Sequence, residues 1–109
     1  LTVRLDETRK ARNPKTYMES WMTLYHRLGF DILGQRPFEQ NGDTAYVIDM
    51  IQRDRSRQAR QAIFFRGQIA VIVNCHDNTE KFKSSLGECN KVIRSFRWTR
   101  APAETTPKY

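Results

Sequence analysis

The stretch from Gln61 to Cys75, Gln-Ala-Ile-Phe-Phe-Arg-Gly-Gln-Ile-Ala-Val-Ile-Val-Asn-Cys, is the feature that most constrains the fold. Gly67 stands where a two-residue turn needs positive φ, a conformation that a residue without Cβ reaches without strain. With Gly67 and Gln68 as the loop, pairing puts Phe64, Ile69, Val71 and Val73 on one face and Ile63, Phe65, Ala70 and Ile72 on the other. Both faces are apolar. A sheet with one wet face alternates apolar with polar residues, so this hairpin is expected to be a central pair covered from both sides.

One cover follows directly in the chain. Phe82, Leu86, Cys89, Ile93 and Phe96 recur at spacings of four, three, four and three, which makes one face of a helix, while Lys83, Ser84, Asn90, Lys91, Arg94 and Arg97 fall largely opposite. Asp77 and Glu80 have the spacing of a capping box, which starts the helix near Asn78. Gly87 within it costs roughly 1 kcal/mol relative to alanine, so it is either closely packed or simply tolerated.

The second cover comes earlier. Asn13 and Pro14 read as N-cap and first-turn residue, Tyr17, Met18, Trp21, Leu24, Tyr25 and Leu28 form a broad apolar face, and Gly29 is the C-terminal stop. The aromatic stripe of Tyr17, Trp21, Tyr25 and Phe30 has a functional reading as a stacking platform for bases. Its spacing of four is also what helix burial requires, and core packing is the preferred reading. Leu1, Val3 and Leu5 alternate with polar residues as in a short edge strand. From Phe30 the chain reads as a strand interrupted by Gly34 and Pro37, hence bulged or at an edge. Asn41-Gly42 is a strong hairpin signal and leads into a strand in which Tyr46, Ile48 and Met50 share a face.

The fold class expected is therefore α+β, a three-layer α/β/α sandwich with a central, mainly antiparallel sheet and helices on both faces. Residues 1–98 fit one domain, and 99–109, rich in proline and polar residues, read as a tail without packed structure. No apolar run approaches the roughly 20 residues that span a membrane. The chain begins at Leu1 and is read as processed or trimmed, which leaves room for a removed signal or anchor.

The net charge of +7 favours anionic partners such as nucleic acid, acidic proteins or anionic lipid, or else serves solubility alone. Its densest stretch, residues 53–60, carries Arg53, Arg55, Arg57 and Arg60 with one aspartate across an expected turn. Four guanidinium groups on a hairpin tip could clamp carboxylates or phosphates through bidentate contacts. The plainer reading is a solvated turn whose charges discourage edge pairing.

Catalysis finds little support. Cys75-His76-Asp77 offers a thiol, a base and an acid, but successive strand side chains diverge, so nucleophile and base would not meet. Cys75, His76, Cys89 and His26 lack metal-ligand spacing. A Cys75–Cys89 disulfide is disfavoured because Cys89 lies about 11 residues, roughly 16 Å, into the helix. No Gly-rich phosphate loop or Ser-His-Asp arrangement is present. Asp49 is expected to face solvent or pair with an arginine. No catalytic, metal or cofactor residues are assigned.

The element order, with the segment from Arg60 to Trp98 foremost, resembles the PsbP-like superfamily. The residues that carry the resemblance are the hairpin quoted above, Phe82 and Leu86, and the ending Val-Ile-Arg-Ser-Phe-Arg-Trp at 92–98. The resemblance covers about residues 13–98. It implies an antiparallel sheet between helices and, since this family includes the photosystem II extrinsic protein, Ran-binding Mog proteins and bacterial envelope proteins, a role in protein binding. Family members usually carry more strand before the first helix than this chain offers. The expectation is a non-catalytic docking module of a bacterial envelope or periplasm that binds a protein partner through Arg53, Arg55, Arg57 and Arg60, with the polar face of the final helix as a second surface. The alternative is nucleic-acid or polyanion binding through the same arginines with Lys10, Arg12 and Lys15.

Overall fold

Antiparallel pairing of chain neighbours needs only tight turns, and the chain supplies them. The computed structural model describes residues 2–7, 14–66 and 69–98. The expectations at Leu1, Lys10, Arg12, Asn13, Gly67, Gln68 and the tail 99–109 lie outside the described residues. The elements in order are β1 (Thr2–Glu7), α1 (Pro14–Arg27), β2 (Phe30–Gln40), β3 (Asp43–Gln52), β4 (Arg57–Arg66), β5 (Ile69–Asn78) and α2 (Thr79–Ser95). The strands form one sheet in the order β1-β5-β4-β3-β2, every neighbouring pair antiparallel. The fold class is α+β.

Asn41 (φ 53°) and Gly42 (φ 85°) take the left-handed conformations of a type I′ hairpin and set Gln40 opposite Asp43. Arg66 pairs with Ile69, so the central hairpin closes over two residues. β2 is an edge strand whose register shifts between Ile32 and Gly34, and Pro37 sits further along it; both expected interruptions are accommodated where no second partner strand is required.

Strand alternation sorts the core into two clusters. Ile48, Met50, Ala59, Ile63, Ala70 and Ile72 pack with Tyr17 and Met18 of α1. Ala45, Ala62, Phe64, Val71, Val73 and Cys75 pack with Cys89 and Ile93 of α2. The division of the central hairpin is the one its period of two predicts. Ile48, Ile63 and Ile72 are at most 1% exposed, and burying each such side chain stabilises the fold by about 1.5–3 kcal/mol. The aromatic stripe belongs to this packing: Trp21, Tyr25 and Phe30 lie partly buried against the α1 cluster, with Trp21 and Tyr25 stacked at 5.5 Å.

Three expectations are corrected. Cys75 and Cys89 form a disulfide with Cα atoms 5.9 Å apart. Cys89 is far along α2 from the helix start, but α2 folds back over β5, so that Cys89 and Ile93 meet Val71, Val73 and Cys75. Cys75 lies three residues before the end of β5, about 10 Å back along the strand, and the two legs largely cancel. Asp77 is not the helix cap. It remains in β5, Asn78 is the N-cap without a side-chain cap bond, and Asp77 instead accepts the Asn78 N–H at 2.8 Å and the Ser85 hydroxyl at 2.5 Å. Leu24 on α1 and Leu28 in the turn just past its end are 38% and 62% exposed. Leu24 lies on the flank of the apolar stripe away from Met18 and Met22, and Leu28 lies past the last helical residue, Arg27.

Candidate partner-binding groove

The four arginines singled out in the sequence do not form one cluster. Only Arg53 and Arg55 occupy the loop between β3 and β4. Arg53 donates from Nη2 to the His26 carbonyl at 2.5 Å and lies 3.7 Å from Asp31, which ties the loop to the end of α1. Arg55 takes φ 67° and its carbonyl accepts the Thr79 hydroxyl at 2.6 Å. Arg57 and Arg60 are both in β4 but at odd separation, so they leave the sheet on opposite faces. Arg57 lies with the α1 face beside His76, and Arg60 lies beneath α2.

Arg60 organises the α2 face. Its Nε is 2.7 Å from Asp49 Oδ1 and its Nη2 donates to Oδ2 at 3.0 Å, a bidentate pair, while Nη1 donates to Asn90 Oδ1 at 3.0 Å. One side chain thus joins β4, β3 and α2, with 15% of it exposed. The expected pairing of Asp49 with an arginine is present. Arg36 approaches the same carboxylate, with Nη1 3.9 Å from Oδ2, so two guanidinium groups share one aspartate.

A groove runs along this face because α2 packs mainly on β5 and β4, so that its edge toward β2 stands apart from the exposed Arg36. Two adjoining hollows, about 320 and 540 Å³, share Arg36 and Arg60 in their lining. Arg94 stands over the first and Lys83 over the second, with Val47, Phe82 and Leu86 supplying apolar wall. At one end Gln40 closes the groove by donating to the Ile93 and Phe96 carbonyls at 2.8 and 3.0 Å, which occupies one carbonyl in the last turn of α2 and that of its C-cap. The other end reaches Thr79, next to the Arg55 loop. Four cationic side chains, Arg36, Arg60, Arg94 and Lys83, line the groove against two carboxylates, Asp49 and Glu39. Lys83 and Arg94 have no ion-pair partner among the described residues.

Lys83 and Arg94 were legible as the polar face of the last helix, whereas Arg36 was not singled out. Its signal was available in the β2 alternation, since the Asn41-Gly42 turn sets Arg36 opposite Val47. The Cys75 sulfur is bonded to Cys89, so it is neither nucleophile nor metal ligand in this state. His76 lies on the opposite sheet face from Cys75, as the strand period predicts. Among the described residues no group of three histidine, cysteine or carboxylate side chains is placed to hold a metal ion, and no helix is long and apolar enough to cross a membrane.

No family model matches the chain, and no curated protein sequence matches it either. Solved structures do. The cyanobacterial PsbP protein of Synechocystis superposes with a TM-score of 0.70 at 10% identity over 90% of this chain. The match spans 66% of the cyanobacterial protein. A Pseudomonas aeruginosa protein of unknown function superposes equally well, TM-score 0.70 at 11% identity, over 91% of this chain and 84% of its own length. The chain has a PsbP-like fold.

Proposed function

We propose that residues 1–98 form one non-catalytic interaction module, a three-layer α/β/α sandwich, that docks an acidic segment of a partner protein in the groove beside α2. The layered reading is supported by the two core clusters, one built with α1 and the other with α2. The observation that carries the docking reading is the cationic surplus of the groove, with Asp49 already engaged by Arg60. From Thr79 to Arg94 the helix wall is about 22 Å long, enough for about six or seven residues of extended chain. Arg55 flanks one end of this track and Arg60 forms its floor; Arg53 and Arg57 lie off it. A buried disulfide persists in oxidising compartments, which supports placement in a bacterial envelope or periplasm.

The test is affinity capture from source-cell extract with wild-type protein and with the Arg36→Glu/Arg94→Glu variant, with and without nuclease and at low and high salt. Both side chains are exposed, so the fold should survive, as a thermal melt checks. A defined acidic protein captured by the wild type after nuclease and lost in the variant is the expected result. Equal capture by both proteins would reject the groove. Nucleic-acid or polyanion binding through Arg53, Arg55, Arg57 and Arg60 with Lys10, Arg12 and Lys15 is the second reading, motivated by the +7 charge. It requires recovery that vanishes with nuclease and an affinity that falls steeply as salt rises through counterion release.

A further inference from the structure

A separate hollow lies on the α1 face, on the other side of the sheet from the groove. It measures about 280 Å³ and has an apolar body of Tyr25, Leu28, Phe30, Met50 and Ala59. It exists because α1 stops early: Gly29 at φ 97° turns the chain into β2, and the ends of β4 and β5 extend past the helix. There the strand residues become polar. The register sets His76 opposite Ala59, Asn74 opposite Gln61 and Asn78 opposite Arg57, all on this face. Leu28, 62% exposed, forms part of the rim.

The charge of the hollow is unbalanced. Arg57 is the charged lining residue, and no carboxylate lines the cavity. Its hydrogen-bond partners are neutral amide and imidazole groups: Nη1 donates to Asn78 Oδ1 at 3.1 Å and Nη2 lies 2.7 Å from His76 Nδ1. Arginine only donates, so Nδ1 accepts and the ring proton sits on Nε2, leaving a second donor at the rim. Arg57 makes no direct ion pair among the described residues; the neighbouring Asp77 feels its charge, but the Asp77 oxygens accept from Asn78 and Ser85. The wall is held in place: Gln61, 1% exposed, donates to the Tyr25 hydroxyl at 2.5 Å, and Arg53 occupies the His26 carbonyl at the negative end of α1.

We propose that this hollow is a binding site for small monocarboxylates with a short aliphatic chain or one aromatic ring, the carboxylate on Arg57 and His76 and the apolar body against Met50, Ala59 and Phe30. An apolar cavity with a few placed polar groups is what small-ligand sites share, and a volume near the lower end of their usual range of about 300–1,000 Å³ excludes long acyl chains. A guanidinium that makes no direct ion pair among the described residues selects for an anion over a neutral or cationic analogue of equal size.

The experiment is an NMR titration of the full chain with hexanoate and with benzoate, using hexan-1-ol and hexylammonium as controls. Saturable amide shifts at Leu28, Asn74 and His76 are expected with either carboxylate. Arg57→Gln should weaken that binding on the order of tenfold or more through loss of a charge-assisted hydrogen bond, with the melting temperature as the check on folding. Absence of saturable shifts, shifts confined to the Arg36 and Arg94 groove, or equal binding of hexan-1-ol would each overturn the proposal, and the wild-type titration decides this even if the variant fails to fold.

Discussion

Opening the Cys75–Cys89 bridge tests chain connectivity with little change in composition, because reduction breaks the S–S bond, adds one hydrogen to each sulfur and requires only that the two thiols move apart to non-bonded contact. The bridge joins residues 14 apart, and closing a loop of about 15 residues removes roughly 3 kcal/mol of conformational entropy from the unfolded chain. With an unfolding entropy of about 2.1 cal/mol/K per residue, this corresponds to a melting temperature roughly 10–15 °C lower. The fold should nevertheless persist, since Phe82 and Ile93 stay buried and Phe96 stacks on Phe64 at 4.1 Å. The assay is far-ultraviolet circular dichroism of the oxidised protein, of the fully reduced protein verified by thiol titration, and of the Cys75→Ala/Cys89→Ala variant. The urea slope should rise on reduction, because the unbridged unfolded chain exposes more surface. Melting of the oxidised and reduced forms within about 3 °C of each other would refute the reasoning, since the loop-entropy contribution would then be absent.

Gly87 lies exposed in α2, and a Cβ built there meets nothing within 4 Å, so it is tolerated and not required. Gly87→Ala should therefore stabilise the protein by about 0.5–1 kcal/mol in urea denaturation, and a loss of stability would show that the position is packed after all. Asp77 is held below its ordinary carboxyl pKa of 3.8, first by the Ser85 hydroxyl and then by the Asn78 N–H. The unfolded chain binds this proton more readily, so the contribution to stability is complete above the ordinary value and is lost as pH falls through the lowered folded one. Ser85→Ala should move the Asp77 carboxyl titration up toward 3.8 and flatten the loss of stability below about pH 4, whereas an unmoved titration would exclude the hydroxyl as the cause.

The helices and strands were readable where local physics decides them. The period of two in Ile63–Phe65 and Ile69–Val73 assigns each residue to its face without knowledge of what covers it, and Asn41-Gly42 determines its own turn because both positions adopt positive φ. Gly34 and Pro37 marked β2 as an edge strand, since neither suits a ladder bonded on both sides. The candidate sites were read less well. Arg53, Arg55, Arg57 and Arg60 are close in sequence, but a strand sends neighbours at odd separation to opposite faces, and Arg57 lies beside His76 on one face while Arg60 meets Asn90 of α2 on the other. Lys83, Arg94 and Arg36 are distant in sequence and meet across one groove.

What the sequence by itself determined is the set of elements, the Asn41-Gly42 turn and the two apolar faces of the central hairpin, because each depends on contacts within a few residues. Tertiary structure alone decided the direction in which α2 crosses the sheet. That direction brought Cys89 onto Cys75, placed Asn90 on Arg60 and left a cationic groove between α2 and β2. The physical reason is that a helix buries its stripe equally well in more than one orientation, and only the packing of the whole stripe on a twisted sheet selects one.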